Sequence, residues 1–399
     1  MGQQKKVLFW VYGFPRISET FIRNQMALLI DQGCDLRIYG HKYLTEQEET
    51  LSGFEHYNFP SRFVSFEKLK NRGNNKYNLV LKTIAHLLFS KRFSMYCYLK
   101  EVYRSHQLFI KELLIARYCI QNNIGVIHAH FGPYGMEACI TKQIGLEIKV
   151  ITTFHGYDLR IGIENPSYYD SLKIWVDKII AISNFNKVEL LKMGFRDSQI
   201  VSIANSVDTE FYSPLKEEVN SVTVNLITVA RLVSEKSIET ALNALKSCIE
   251  SRPQVHFKYT LVGEGSEREM LESLVKELGL RENVVFLGAQ NSLKVRDALR
   301  EASIFVLTSI HEAFPTVLLE AQATGLAVIS TNVGAVNEIS IHSDLIEVGA
   351  VDALSTAILR LVDDPQLLKK QGTENRAHIV KHFDHQVILQ HLLKLYSDC

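Results

Sequence analysis

The sequence carries no surplus of either charge: 44 Lys and Arg balance 44 Asp and Glu. A neutral chain gives no global argument for binding nucleic acid. Six cysteines, Cys34, Cys97, Cys119, Cys139, Cys248 and Cys399, form no CxxC and no metal-like spacing, which excludes a zinc framework. They read as buried thiols in a reducing compartment. No apolar stretch reaches the length of a membrane-spanning helix without charges. The first apolar run, residues 7–12, is too short for the core of a signal peptide, and the expectation is a cytoplasmic protein. A P-loop is missing, and Gly263-Glu-Gly265 is too short to count as a dinucleotide fingerprint. No DxD-type acidic pair stands at a strand end to carry magnesium, so no metal is expected. Low-complexity segments and short-period repeats are missing as well.

What is present is an ordinary globular composition, 46% apolar and 22% charged, in 399 residues, enough for two domains. Strand and helix patterns alternate. Residues 7–12 read as a buried strand, followed by the loop Gly13-Phe-Pro-Arg16. Ser18 then reads as a helix cap with Glu19 in the first turn, either as plain capping or as a ligand contact. Gly33 ends that helix and residues 36–39 form the next strand, the β-α-β opening of a doubly wound domain. Further strands at 126–128, 150–154 and 178–182 lead into His130-Phe-Gly-Pro133, His155-Gly-Tyr-Asp158 and a Ser183-capped helix. Residues at the carboxyl ends of parallel strands line the crevice of such a sheet, which makes three histidines, His128, His130 and His155, and Asp158 candidates for chemistry. Residues 205–208 and 213–220 read as a linker. The second half repeats the alternation, with strands at 224–230, 256–262, 284–287 and 303–307 and with Ser237 as the expected cap of a helix to Ile249.

Residues 62–118 depart from the alternation. They look helical and aromatic, and carry 12 Lys and Arg against 3 Glu and no Asp. Such a surface suits anionic lipid headgroups, or is simply an inserted helical pair with a solvated basic face.

The most informative stretch is residues 308–325. The strand at 303–307 leads into a loop carrying Glu312. Pro315 opens a helix and Gly325 closes it as a left-handed cap. The unpaired amides of Thr316 and Val317 then form a phosphate-binding terminus. Arg231 and Lys236 share the loop after the first strand of this half. With the helix terminus they can neutralise a diphosphate, which suits a metal-independent leaving group. Glu320 lies a turn inside the helix, so Glu312 and Glu320 are read as two separate contacts to one elongated ligand.

These residues resemble a retaining glycosyltransferase of family 4. The resemblance is carried by the E-x7-E pattern from Glu312 to Glu320, Ala230-Arg-Leu with Lys236, Gly263-Glu-Gly265, His155-Gly-Tyr-Asp158 and residues 205–208. The opening Phe14-Pro and Ser18-Glu-Thr-Phe21 resemble the exopolysaccharide branch of colanic-acid type. What the resemblance implies is an α/β protein of GT-B fold, two doubly wound Rossmann-like domains facing across a cleft. Residues 1–204 would form the acceptor-side domain, with 62–118 as a basic insertion, and 205–382 the nucleotide-sugar domain. A last helix, 383–399, would pack back on the first domain. The implied reaction moves a hexose from a nucleotide-diphosphate sugar to a lipid-linked glycan with retention, using no cofactor. Arg231, Lys236, Gly263, Glu264, Thr316, Val317 and Glu320 would bind the donor, with Glu320 on the ribose. His155 and Glu312 would face the donor sugar, and Ser18, Glu19, His130 and Asp158 the acceptor side. A front-face departure, in which the leaving phosphate helps deprotonate the acceptor, suits Glu312 better than a nucleophilic role. The family usually has glycine where this chain has Ser206 and Ser237. Competing readings are a nucleotide-sugar epimerase, a sugar phosphorylase, or a catalytically silent scaffold subunit.

Overall fold

Continuous apolar runs rich in branched residues, such as Ile304-Phe-Val-Leu307, favour extended backbone buried on both faces, and strands of this kind pair in parallel beneath helices. In the computed structural model this happens twice. The structure describes residues 6–16, 19–51, 53–71, 76–89, 94–105, 110–215, 223–341 and 343–398. The chain divides into two compact units, Met1–Ile203 with Leu389–Cys399, and Ala204–Ile388.

The first unit holds β1 (Lys6–Phe14), β2 (Leu36–Tyr43), β3 (Phe63–Val64), β4 (Ile124–His130), β5 (Lys149–Phe154), β6 (Lys178–Ala181) and β7 (Ile200–Ser202). They form a seven-stranded sheet in the order β3-β2-β1-β4-β5-β6-β7. Its pairs are parallel. From β1 the chain winds one way through β2 and β3, then returns to β4 and winds the other way. The switch of direction lies between β1 and β4, where such sheets open a crevice beyond their carboxyl ends. Trp10 and Tyr39 pack ring on ring at 4.4 Å in the core of this unit. Tyr396, from the helix His385–Asp398, is buried in the same unit.

Residues 62–118 are more deeply built into the unit than a surface helical pair. Phe63 and Val64 pair with Ile38 and Tyr39 as β3, the edge of the sheet. The helix Ile110–Gln121 buries Leu113, Leu114, Ile115 and Ala116 in the core. Both ends of the segment therefore belong to the sheet-and-helix layers. The excursion lies in the helices between them, Phe66–Lys70, Lys76–Leu88 and Met95–Ser105.

The second unit holds β8 (Thr223–Val229), β9 (His256–Val262), β10 (Val284–Gly288), β11 (Ile304–Leu307), β12 (Ala327–Thr331) and β13 (Ser343–Ile346). The order is β10-β9-β8-β11-β12-β13, so the switch lies between β8 and β11. That topology brings together the loops after those strands, which carry Arg231 and Lys236 on one side and Glu312 on the other. Residues read as linker are pinned within this unit. Val207 N–H donates to Phe383 O at 3.0 Å and His385 N–H to Val207 O at 3.0 Å. The Arg376 guanidinium donates to Tyr212 O at 3.1 Å, Thr209 O at 3.2 Å and Ala323 O. Residues 216–220, the rest of the expected linker, lie outside the described residues.

Candidate active site

In the second unit two glycines let one loop lie on another. Leu232 N–H donates to Glu264 O at 2.9 Å, and Ala230 N–H to Val262 O at 3.0 Å. A Cβ on Gly263, whose φ is +140°, would stand 1.8 Å from Ala230 O, and one on Gly265 would stand 2.1 Å from Leu232 O. Only glycine permits this approach. Glu264 itself turns to Arg268, which also donates to Glu272 at 2.9 Å.

The loops after β8 and β11 are stitched through both backbone and side chain. Thr308 Oγ1 donates to Lys236 O at 3.0 Å, and Ile310 N–H to Glu235 O at 2.8 Å. Lys236 Nζ meets Glu312 Oε1 at 2.5 Å, and Ser309 Oγ donates to the same oxygen at 2.7 Å. Both members of the ion pair are largely buried, with 16% and 11% of their side chains exposed. Arg231 differs. Its side chain is 68% exposed and its nearest carboxylate, Glu235, lies 3.9 Å away, so that pair contributes little.

Ser237 does not cap its helix. Its backbone is left-handed, φ +45° and ψ +46°, its side chain makes no capping bond, and Oγ reaches Thr240 Oγ1 at 2.9 Å instead. The position therefore keeps a glycine-like conformation with a serine in it, at a strain of about 1–2 kcal/mol.

Pro315 stands at the N-cap of the helix Thr316–Ala323. The first helical amides, Thr316 and Val317, have no carbonyl in the preceding turn to bond. At the far end Gly325, φ +82°, donates to Gln322 O at 3.0 Å and Leu326 N–H to Ala321 O at 3.2 Å, a Schellman closure. Glu320 sits one turn in. Burial pushes its carboxyl up to about 7, against an opposing hydrogen bond from Tyr212. Glu312 is cradled from behind by Gly334, φ +55°, where a Cβ would stand 1.7 Å from Glu312 O. Gly334 was not singled out from the sequence.

In the first unit, His130 ends β4 and His155 follows β5. His130 Nδ1 and His155 Nε2 share a hydrogen bond of 3.1 Å, with the rings stacked at 5.4 Å. His128, two residues earlier and so on the same face of the strand, stacks on His130 at 4.5 Å. His128 bonds Tyr396 OH at 2.6 Å and Thr153 Oγ1 at 2.7 Å. Burial lowers the imidazoles of His128 and His155 to about 3, and that of His130 well below its ordinary value. All three are neutral. Among the described residues, no group of three or more His, Cys, Asp or Glu is arranged to hold a metal ion.

Asp158 is fully buried and its carboxylate accepts from His155 N–H at 3.0 Å and from Gly132 N–H at 2.9 Å. Asn186 Nδ2 donates to His155 O at 3.0 Å. The backbone of His155 is thus held at both its amide and its carbonyl. Tyr396 and Asn186 were not singled out from the sequence, and none of the motifs read there contains either. Glu19 occupies the N-cap of the helix Thr20–Asp31 rather than its first turn, and its carboxylate meets Arg16 at 2.8 Å instead of capping. Burial raises the Glu19 carboxyl in spite of Arg16. Ser18 lies outside the described residues.

Comparison with known proteins agrees with this construction. Residues 18–211 match the model of Glycosyltransferase Family 4, and residues 216–378 that of Glycosyl transferases group 1. A Salmonella typhimurium protein assigned to colanic acid biosynthesis as a glycosyltransferase is 26% identical, the alignment covering 98% of this chain and 99% of that one. The Escherichia coli UDP-Gal:alpha-D-GlcNAc-diphosphoundecaprenol alpha-1,3-galactosyltransferase is 26% identical over 68% of this chain and 75% of its own. Among solved structures, Anabaena HepE in complex with UDP superposes with a TM-score of 0.74 at 17% identity, covering 99% of this chain and 100% of that one. The two parallel sheets are those of the GT-B fold. With both halves matched by family models and relatives aligned along nearly its whole length, the chain belongs to the family 4 glycosyltransferases, in the branch that builds exopolysaccharide.

Proposed function

We propose that this glycosyltransferase moves a hexose from a nucleotide-diphosphate sugar to a lipid-linked glycan, with retention at the anomeric carbon and without a metal. The observation that carries the reading is the Lys236–Glu312–Ser309 cluster at the sheet switch point, on the loop that runs into the amide end of Thr316–Ala323. Lys236, Arg231 and the amides of Thr316 and Val317 supply positive charge for the diphosphate, where the leaving group becomes more negative. The turn at Gly263 and Glu264 brings backbone close to the donor, and Glu320 accepts from the ribose hydroxyls. Glu312, oriented by its two partners, accepts from hydroxyls of the donor sugar. His155, held neutral, bonds the sugar as a hydrogen-bonding group and not as an ion, with His130, Asp158 and Glu19 on the acceptor side. The acceptor hydroxyl attacks on the face from which the phosphate departs, and the phosphate takes up its proton. UDP in the complex of the Anabaena structure and the diphosphoundecaprenol acceptor of the Escherichia coli relative support the choice of substrates.

Contact with the inner face of the membrane fits the same role. Leu81, Leu88, Phe89, Tyr96, Leu99 and Tyr103 are exposed on and beside two helices that also expose Lys82, Lys100 and Arg104. No helix among the described residues is long and apolar enough to cross a membrane.

The test is a thermal-stabilisation screen of UDP-, GDP- and ADP-sugars, followed by NMR of the anomeric centre formed on a diphosphoundecaprenol-linked sugar. Stabilisation by one donor class and a retained configuration, unaffected by EDTA, are expected. No nucleotide binding by calorimetry would favour a silent scaffold, and epimer formation without acceptor would favour an epimerase.

A further inference from the structure

We propose that the carboxyl end of β1 carries a sugar-stacking subsite for the acceptor glycan, with Tyr12 and Tyr134 as its aromatic floor and the His41–Glu137 pair as its polar edge. The proposal rests on the transferase reading and extends it to residues that neither the family resemblance nor the ion-pair geometry assigns.

Tyr12 is the anomaly that draws attention to this edge. Along β1 the residues from Val7 to Phe14 are buried except Tyr12, which is 48% exposed. A strand covered on both faces has no packing reason to leave a large ring open at its carboxyl end. That end borders the switch point of the sheet, where small-molecule sites form.

The ring is not isolated. Tyr12 stacks with Tyr134 at 6.0 Å and an interplanar angle of 28°, and lies 5.6 Å from the His41 ring. Tyr134, in the first turn of the helix Gly132–Gln143, meets Phe131 at 6.4 Å, and Phe131 meets His155 at 4.7 Å. The aromatic surface therefore runs unbroken from the candidate catalytic histidine to Tyr12. Phe131 holds its place in that run with a left-handed φ of +74°, a strained conformation for a side chain of this size.

Polar groups stand along the edge of this surface. His41 Nε2 bonds Glu137 Oε2 at 2.9 Å, with 31% and 37% of the two side chains exposed. Lys111 Nζ lies 3.5 Å from the same oxygen. Burial pulls the Glu137 carboxyl upward, but the bond from His41 and the charge of Lys111 outweigh it and hold the group below its ordinary value. Glu137 thus stays ionised and accepting. Arg16, 5.8 Å from the Tyr12 ring, is paired with Glu19.

An apolar ring face bordered by a few fixed acceptors is the chemistry of a pyranose, whose C–H face packs on an aromatic and whose hydroxyls need acceptors at the rim. Both cations beside the subsite are committed to carboxylates, so a neutral hexose fits better than a phosphorylated or acidic sugar.

Saturation-transfer NMR on the full chain tests this with methyl α-D-glucopyranoside, methyl α-D-galactopyranoside and methyl α-D-mannopyranoside as probes, and glycerol as control. Saturation of pyranose ring protons is expected in the wild type and in Tyr12→Phe. In Tyr12→Ala and Tyr134→Ala binding should weaken about tenfold, the scale of one lost ring contact. Glu137→Gln, on the half-exposed edge, should weaken binding of all three hexosides while keeping a single cooperative melting transition, which covers the case in which an alanine variant misfolds. Equal saturation in the wild type and the alanine variants, no saturation in the wild type, or glycerol behaving like the hexosides would each overturn the proposal. Stabilisation by UDP, measured on the same samples, reports on the donor site separately. Its loss in the wild type would sink the transferase reading and leave the hexoside result standing by itself.

Discussion

Lys236 and Glu312, 76 residues apart in the chain, form a 2.5 Å ion pair that joins the two loops at the switch point of the second sheet. A lysine so engaged is a stored cation: its charge is in place before any diphosphate arrives. The glutamate in turn is aimed by two donors, Lys236 and Ser309.

Breaking this pair should harm stability and activity separately. Lys236→Met or Glu312→Gln alone leaves a largely buried partner uncompensated, at a cost of about 3 kcal/mol. The double variant should recover most of that stability, while turnover stays lower by orders of magnitude in all three, as expected when transition-state contacts are lost. Urea melts and a transfer assay on the same preparations check both halves. Wild-type turnover in either single variant would refute the assignment.

Glu320 predicts a pH dependence with a definite sign. Its carboxyl in the ligand-free fold titrates at about 7, above the ordinary value, because burial disfavours the charge. Ribose hydroxyls would donate to the ionised form, so binding below pH 7 must release a proton. Affinity for a nucleotide sugar should then fall as pH drops below about 7, approaching tenfold per unit. The stability linkage runs the other way: the raised value favours the fold fully below the unfolded pKa and is lost as pH rises through 7. Glu320→Gln should therefore flatten the binding profile by calorimetry and stabilise the protein at pH 8 more than at pH 4.5. An unchanged binding slope in that variant would disprove the role.

Ser237→Gly and Ser237→Ala separate backbone strain from side-chain bonding. The alanine keeps the left-handed strain and loses the bond to Thr240, and should cost about 1–2 kcal/mol. The glycine loses the same bond but relieves the strain, and should lie within about 1 kcal/mol of the wild type. The opposite order in chemical denaturation, with the glycine variant less stable than the alanine, would show that the left-handed backbone at this position stores no strain to relieve.

Anionic vesicles test the exposed stripe of the first unit. Sedimentation with phosphatidylglycerol-containing vesicles should bind the wild type and release it as salt rises. Binding should weaken for Phe89→Ser with Leu99→Ser, and for Lys82→Glu with Lys100→Glu. Retention of all variants on neutral vesicles alone would contradict the electrostatic part of the reading.

Most strands and several helix ends were legible from the sequence, because apolar runs, Ser183 as a cap and Gly325 as a terminator each act within a few residues; the short edge strands Ile200–Ser202 and Ser343–Ile346 were not. Ser183 does accept from Asn186 N–H at 3.0 Å. Phe63 and Val64 were not legible as a strand, since two residues carry no period and only pairing with Ile38 and Tyr39 defines them. Ser237 was misread because a capping serine and a left-handed serine look alike in one dimension. The links between Lys236 and Glu312, and between His128 and Tyr396 across 268 residues, depend on which strands become neighbours, and no local rule reports that.

The hydroxyl of Tyr396 on the imidazole of His128 has a further consequence for how the molecule is made. The histidine-bearing edge of the first sheet waits for a side chain that leaves the ribosome only after the whole of 204–388 has been synthesised. The first unit begins to fold first and is completed last. A released chain cut short of Tyr396 would contain the whole of the later-made unit and leave His128 of the earlier-made one without this partner.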